Sequence, residues 1–237
     1  MSTIIYVVIF FVIFYAVAIF WWRSQRNKSK NAFANLDLSR EARSAPQYQQ
    51  ELMNGDYAFL KKQMNTAPIE AFTTAASEYT ATDRAKDLGK DALKSLATLG
   101  TVKFTTVTTP KYLALSGDEL HLFDTNKDGD IDKHLVFDRL RLQHSTLTEI
   151  PLSGSSWKHI KYGDYALRSY KLELNTDQQP VTLLLYSGLV NVSPNNAAFL
   201  SMNANKQVQE FVVGNYFLNK LGERYPNLKV STYLPVV

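Results

Sequence analysis

Residues 4–22 read IIYVVIFFVIFYAVAIFWW, nineteen positions without a charge or a strongly polar side chain. At 1.5 Å per residue a helix of that length covers roughly 28 Å, close to the ~30 Å hydrocarbon core of a bilayer. Inside hydrocarbon every backbone polar group must pair within its own segment, so a helix is the form such a run takes. Trp21 and Trp22 stand where an interfacial aromatic belt belongs, directly before Arg23. The run is therefore expected to be a transmembrane helix, with the lipid bilayer as its first partner. A cleaved signal peptide is the rival, since Ala16-Val17-Ala18 resembles a small-x-small cleavage site. No basic segment precedes the apolar run, which favours a signal-anchor.

The charge balance points the same way. The chain carries 26 Lys and Arg against 22 Asp and Glu, a net charge of +4. Residues 1–30 hold Arg23, Arg26, Lys28 and Lys30 and no acid, which accounts for the whole excess. The basicity is thus a flank of the apolar run and not a property of the rest of the chain. By the positive-inside rule it places the N-terminus outside and the following domain in the cytoplasm, on the inner (plasma) membrane. The same location argues against nucleic-acid binding, because no basic-aromatic interleaving follows. With no cysteine, disulfides and thiolate metal sites are excluded.

Beyond residues 1–3 and the apolar run, 23–44 read as a basic linker or a helical continuation. Residues 45–100 read as a helical region. Ser44 is the expected cap of a first helix with Pro46 in its first turn, stopped by Asn54-Gly55. Asp56 is the expected cap of a second, with Tyr57, Leu60 and Met64. Ala85, Leu88, Ala92, Leu96 and Leu99 recur at helical spacing within 69–99. From 101 the pattern changes to strands, expected at 101–109, 111–116, 119–124, 133–138, 139–147, 165–175 and 180–187. Residues 151–164 read as a loop anchored by Trp157. A last amphipathic helix is expected from about 205 to 223, followed by a tail over 226–237. The fold class expected is α+β: an N-terminal transmembrane helix, a helical segment, then a seven-stranded antiparallel barrel or bent sheet closed by the C-terminal helix.

The stretch Tyr112-Leu-Ala-Leu-Ser-Gly-Asp-Glu-Leu-His-Leu-Phe-Asp124, followed after a turn by His134-Leu-Val-Phe-Asp-Arg-Leu-Arg-Leu142, resembles the central hairpins of bacterial PH-like and GRAM-like domains. The resemblance covers about 100–225. It implies a binding or scaffolding module and not a catalyst. The phosphoinositide pocket of those families wants a basic cluster in the first strand-strand loop, where this chain offers only Pro110-Lys111.

One acidic loop stands out. Asp124, Asn126, Asp128, Asp130 and Asp132, with Gly129 at the sixth position, match the first nine places of an EF-hand calcium loop. Position 12 is Leu135 and not the bidentate glutamate, and the flanks alternate with period two as strands do. A hairpin turn is the competing reading. Ca²⁺ at these five residues is the only cofactor or metal that the sequence suggests.

The four histidines are His121, His134, His144 and His159. His121 and His134 are expected to approach one another across a hairpin, with Asp132 near, short of the three or four ligands of a zinc site. Ser153, Ser155 and Ser156 lack the G-x-S-x-G setting of a nucleophile elbow. Asp138-Arg139-Leu140-Arg141 reads as a strand-end ion pair. No catalytic constellation and no small-molecule substrate emerge. The function expected is a membrane-tethered cytoplasmic module binding a protein partner near the bilayer. The alternatives are a calcium-responsive membrane protein using residues 124–132 and a membrane-associated enzyme without a recognisable motif.

Overall fold

A computed structural model describes residues 2–77, 110–126, 130–152, 161–177, 179–192, 198, 199, 201 and 203–236. The chain opens with helix α1 (Ser2–Ala34), then α2 (Leu38–Asn54) and α3 (Ala58–Gln63). Strands β1 (Ala71–Ser77), β2 (Lys111–Ser116), β3 (Glu119–Thr125) and β4 (Ile131–Phe137) follow, then the short helix α4 (Arg139–Gln143). Next come β5 (Thr146–Ile150), β6 (Lys161–Tyr162), β7 (Tyr165–Ala166), β8 (Ser169–Leu174), β9 (Val181–Tyr186), β10 (Asn191–Val192) and β11 (Ala198–Phe199). Helix α5 (Ala204–Arg224) and a 3₁₀ turn (Pro226–Leu228) close the described chain.

The fold is α+β around one seven-stranded antiparallel sheet in the order β4-β3-β2-β1-β9-β8-β5. On one face Leu113, Leu115, Leu120, Leu122, Leu172 and Leu183 bury against Phe217, Leu218 and Leu221 of α5. On the opposite face Phe72, Ala114 and Phe123 pack on Leu52, Met53, Tyr57 and Leu60 of the α2–α3 hairpin. Burying both faces of its centre explains why the sheet reads as near-continuous apolar strands in β2 and β3. Helix α5 joins the layers. Gly214 lies so close to the backbone of Gly188 that a Cβ there would overlap it, and a Cβ on Gly188 would overlap the Tyr162 ring.

Helix α1 is continuous from Ser2 to Ala34, so of the two readings of 23–44, linker or helical continuation, the continuation holds as far as Ala34. Its last turns pack on protein: Phe33 is buried beside Tyr162, Tyr165 and Phe211, and Ser29 Oγ donates to Gln207 Oε1. Among the described residues no helix is long and apolar enough to cross a membrane. The transmembrane anchor is corrected accordingly, and with it the single-pass inner-membrane placement and the assigned sidedness. Arg23, Arg26, Lys28 and Lys30 are exposed along the middle of α1 after the exposed Trp21, so they and Trp22 lose the role of a membrane flank. Phe10, Phe11, Phe14, Tyr15 and Phe20 stand exposed on the same helix.

Four further expectations change. Asp56 caps nothing: α3 starts after Tyr57 without a side-chain cap, and Asp56 pairs with Lys206 of α5. Residues 71–77 form the central strand β1, not a helix, pairing with β2 on one side and β9 on the other. The Ala-rich run AFTTAAS is compatible with either periodicity, and burial between two strands decides it. Residues 139–147 are not one strand: the Asp138 carboxylate accepts from Arg141 N at 2.9 Å, capping α4, and β5 starts only at Thr146. The α2 cap is Asp37, whose Oδ1 accepts from Ser39 N and Arg40 N, so Pro46 sits inside the helix and Ser44 caps nothing. The strand expected at 101–109, the helical positions 85–99 and the loop residues Ser153, Ser155, Ser156, Trp157 and His159 lie outside the described residues.

Candidate functional site

Strand β4 ends the sheet. Its inner side pairs with β3 from Leu120↔Phe137 to Thr125↔Ile131, and no described strand pairs with its outer side. Asp132 through Val136 are all exposed, and only Phe137 is buried. Leu135 is 44% and Val136 38% exposed, and Leu140 in the adjoining α4 is 65% exposed. Outside α1, these three and Val236 are the large apolar side chains left in the open among the described residues. The register puts Leu135 opposite Leu122, on the α5 side of the sheet, and Val136 opposite His121, on the α2–α3 side. An incoming strand therefore meets one apolar side chain on each face.

The other sheet edge differs. In β5 the outward Thr146, Thr148 and Glu149 are polar and Leu147 is buried. A row of unpaired N–H and C=O groups is a template for another strand, and polar or charged side chains are the usual protection. Strand β5 has that protection along its length. In β4 Asp132 and Lys133 guard only the first half.

A histidine pair braces β4 from beneath. Phe123 lies directly across from His134, and the two rings stack at 4.4 Å. His121 Nδ1 and His134 Nε2 share a hydrogen bond of 2.9 Å, the approach expected from the sequence. His121 is buried, His134 exposed. Burial lowers the His121 pKa, the charge of His134 lowers it further, and Glu119 opposes both. Glu119 Oε2 lies 3.5 Å from His121 Nε2. The two imidazoles face each other through one nitrogen apiece while Glu119 approaches the remaining nitrogen of His121, so these three groups do not converge on one point.

The acidic stretch takes its place at the far end of the same hairpin. Asp124 lies in β3 and forms an ion pair with Lys111 of β2. A register shift at Asp124/Thr125 starts the connection to β4. Asn126 N donates to Asp130 O at 2.8 Å, and Asn126 Oδ1 accepts from Asp130 N at 3.0 Å. Asp132 is exposed in β4, and Asp128 lies outside the described residues. Of the calcium candidates, then, Asp124 faces a lysine and Asn126 closes the hairpin. Among the described residues no group of three acidic, histidine or cysteine side chains is placed to hold a metal ion. His144 ends α4, and Arg139 and Arg141 pair with Asp118 and Asp177 at 3.6 and 2.6 Å.

The exposure of Leu135, Val136 and Leu140 was not legible in sequence, because the alternation of β4 looks like that of any half-buried strand. The signal lies in topology: β4 follows the last hairpin before α4 turns the chain away, and no described strand lies on its outer side. Comparison with known proteins finds no family model and no curated protein that matches the chain.

Proposed function

We propose that this chain is a non-catalytic binding module that takes an extended segment of a protein partner onto the outer side of β4. The observation that carries the reading is a sheet-end strand with Leu135 and Val136 exposed and no described strand beyond it. Backbone groups spaced along a strand are satisfied in register only by another extended chain, which supplies affinity, while side-chain positions on alternate faces supply specificity. Leu135 and Val136 ask for an apolar residue on each face of that partner. Leu140 extends the apolar surface beyond the end of the strand. The resemblance of residues 112–142 to PH-like hairpins leads to a binding module by a separate route.

Display of random heptapeptides against the folded protein tests this. The enriched peptides are expected to be proline-free, with apolar residues at neighbouring positions flanked by polar ones. Leu135→Lys and Val136→Lys, both at exposed positions that tolerate charge, are each expected to weaken binding at least tenfold without lowering thermal stability. Peptides whose affinity neither substitution changes would overturn the assignment.

A further inference from the structure

A strand that fits the β4 edge carries an apolar residue for each face at neighbouring positions, with polar residues before them. Strand β4 is itself such a strand. Asp132, Lys133 and His134 precede Leu135 and Val136, all five are exposed, and the strand contains no proline. We propose, on the reading of β4 as an edge that takes an extended segment, that this segment is the β4 of a second copy of the chain, paired antiparallel across a two-fold axis at Leu135.

The register follows from geometry. A two-fold axis perpendicular to the sheet keeps each face on its own side. Lys133, Leu135 and Phe137, on the α5 side, then meet only one another, as do Asp132, His134 and Val136 on the α2–α3 side. One residue must therefore lie on the axis, opposite its own copy. Lys133 there would set like charges directly opposite one another. His134 there would put Leu135 against Lys133 and Val136 against Asp132 of the other copy. Val136 there would leave only 135–137 paired within the strand. With Leu135 on the axis, residues 133–137 pair. Leu135 meets Leu135, Val136 meets His134, and Phe137 meets the aliphatic stem of Lys133.

The pairing gives the outer N–H and C=O groups of both strands a partner and covers Leu135 and Val136 of both copies. The β5 edge, with Thr146, Thr148 and Glu149 outward, lacks this self-complementary pattern. A five-residue ladder is short beside interfaces that bury about 1,200–2,000 Å². The pair therefore dissociates on dilution, and a peptide selected for this edge competes with it.

The chain has no cysteine, so one introduced thiol reports the contact. In this register Leu135→Cys sets two thiols opposite one another with Cα atoms about 4.5–5.5 Å apart, inside the disulfide range of about 4.4–6.8 Å. Val136→Cys lies diagonal to its own copy at about 7–8 Å, outside that range. Thr148→Cys, exposed on β5, reads random collision and association through other surfaces. Under mild oxidation of the full chain at equal concentration, Leu135→Cys is expected to form the covalent dimer on the order of tenfold faster than the other two. Equal rates in the three variants, or a faster dimer from Val136→Cys, would overturn the self-pairing. Display peptides that still depend on Leu135 and Val136 would then leave the edge reading standing, whereas its own failure shows as peptides indifferent to both residues.

Discussion

His121 Nδ1 lies 2.9 Å from His134 Nε2, so one hydrogen is shared between two rings and at least one ring is neutral. The contact joins the buried side of β3 to the exposed strand β4. Burial is the larger cause holding the His121 pKa below its usual 6.5, ahead of the charge of His134. The folded state therefore resists a proton that the unfolded chain accepts. Stability present above the unfolded value is lost as pH falls below it toward the folded value. The urea midpoint is expected to drop between pH 7.5 and 5.5, and to drop less in His121→Leu. Imidazole NMR that places the His121 midpoint at or above 6.5 would contradict this.

Gly214 tests the fit between α5 and the chain segment after β9. Glycine to alanine within a helix ordinarily gains about 1 kcal/mol. Here the added Cβ would overlap the Gly188 backbone, and the Tyr162 ring packs closely against the same glycine. Overpacking costs about 1–3 kcal/mol or more, and a rigid backbone neighbour puts this site at the upper end. Gly214→Ala is expected to lose on the order of 2 kcal/mol net in urea denaturation. A stabilised variant would mean that α5 and this segment are not in contact.

Helix α2 separates two readings of its start. Asp37 accepts from the first turn, with Ser39 N at 3.0 Å and Arg40 N at 3.1 Å. Ser44 Oγ donates to the Arg40 carbonyl on an exposed surface. Asp37→Ala is expected to cost about 1 kcal/mol, while Ser44→Ala stays near zero. The reverse order in thermal denaturation would restore Ser44 as the cap.

How far the sequence was legible depends on how local each determinant is. The β2–β3 hairpin was readable because Leu113, Leu115, Leu120 and Leu122 alternate around Ser116-Gly117-Asp118. Helix α5 was readable because Phe211, Leu218 and Leu221 recur at helical spacing and Gly222 and Pro226 follow. Strand β1 was not, because Ala71, Ala75 and Ala76 fit a helix as well as a strand, and only the distant partners β2 and β9 decide between them. Helix α4 was misread for a related reason: Leu140 and Leu142 alternate as in a strand, yet the Asp138 cap winds them into one turn that leaves Leu140 outside and Leu142 buried. The approach of His121 to His134 followed from hairpin register and was anticipated. The apolar run at the N-terminus misled most. It was read as a bilayer span, whereas no described helix is long and apolar enough to cross a membrane and α1 runs on until Phe33 docks in the protein.

The most direct measurement of the central claim is amide hydrogen exchange along β4 with a display-selected peptide bound. Within residues 131–137, the amides not already bonded to β3 are expected to slow at alternate positions, while the β5 edge keeps its free-state rates. Protection that appears elsewhere, or rates in β4 that do not change at saturation, would contradict strand addition at this edge.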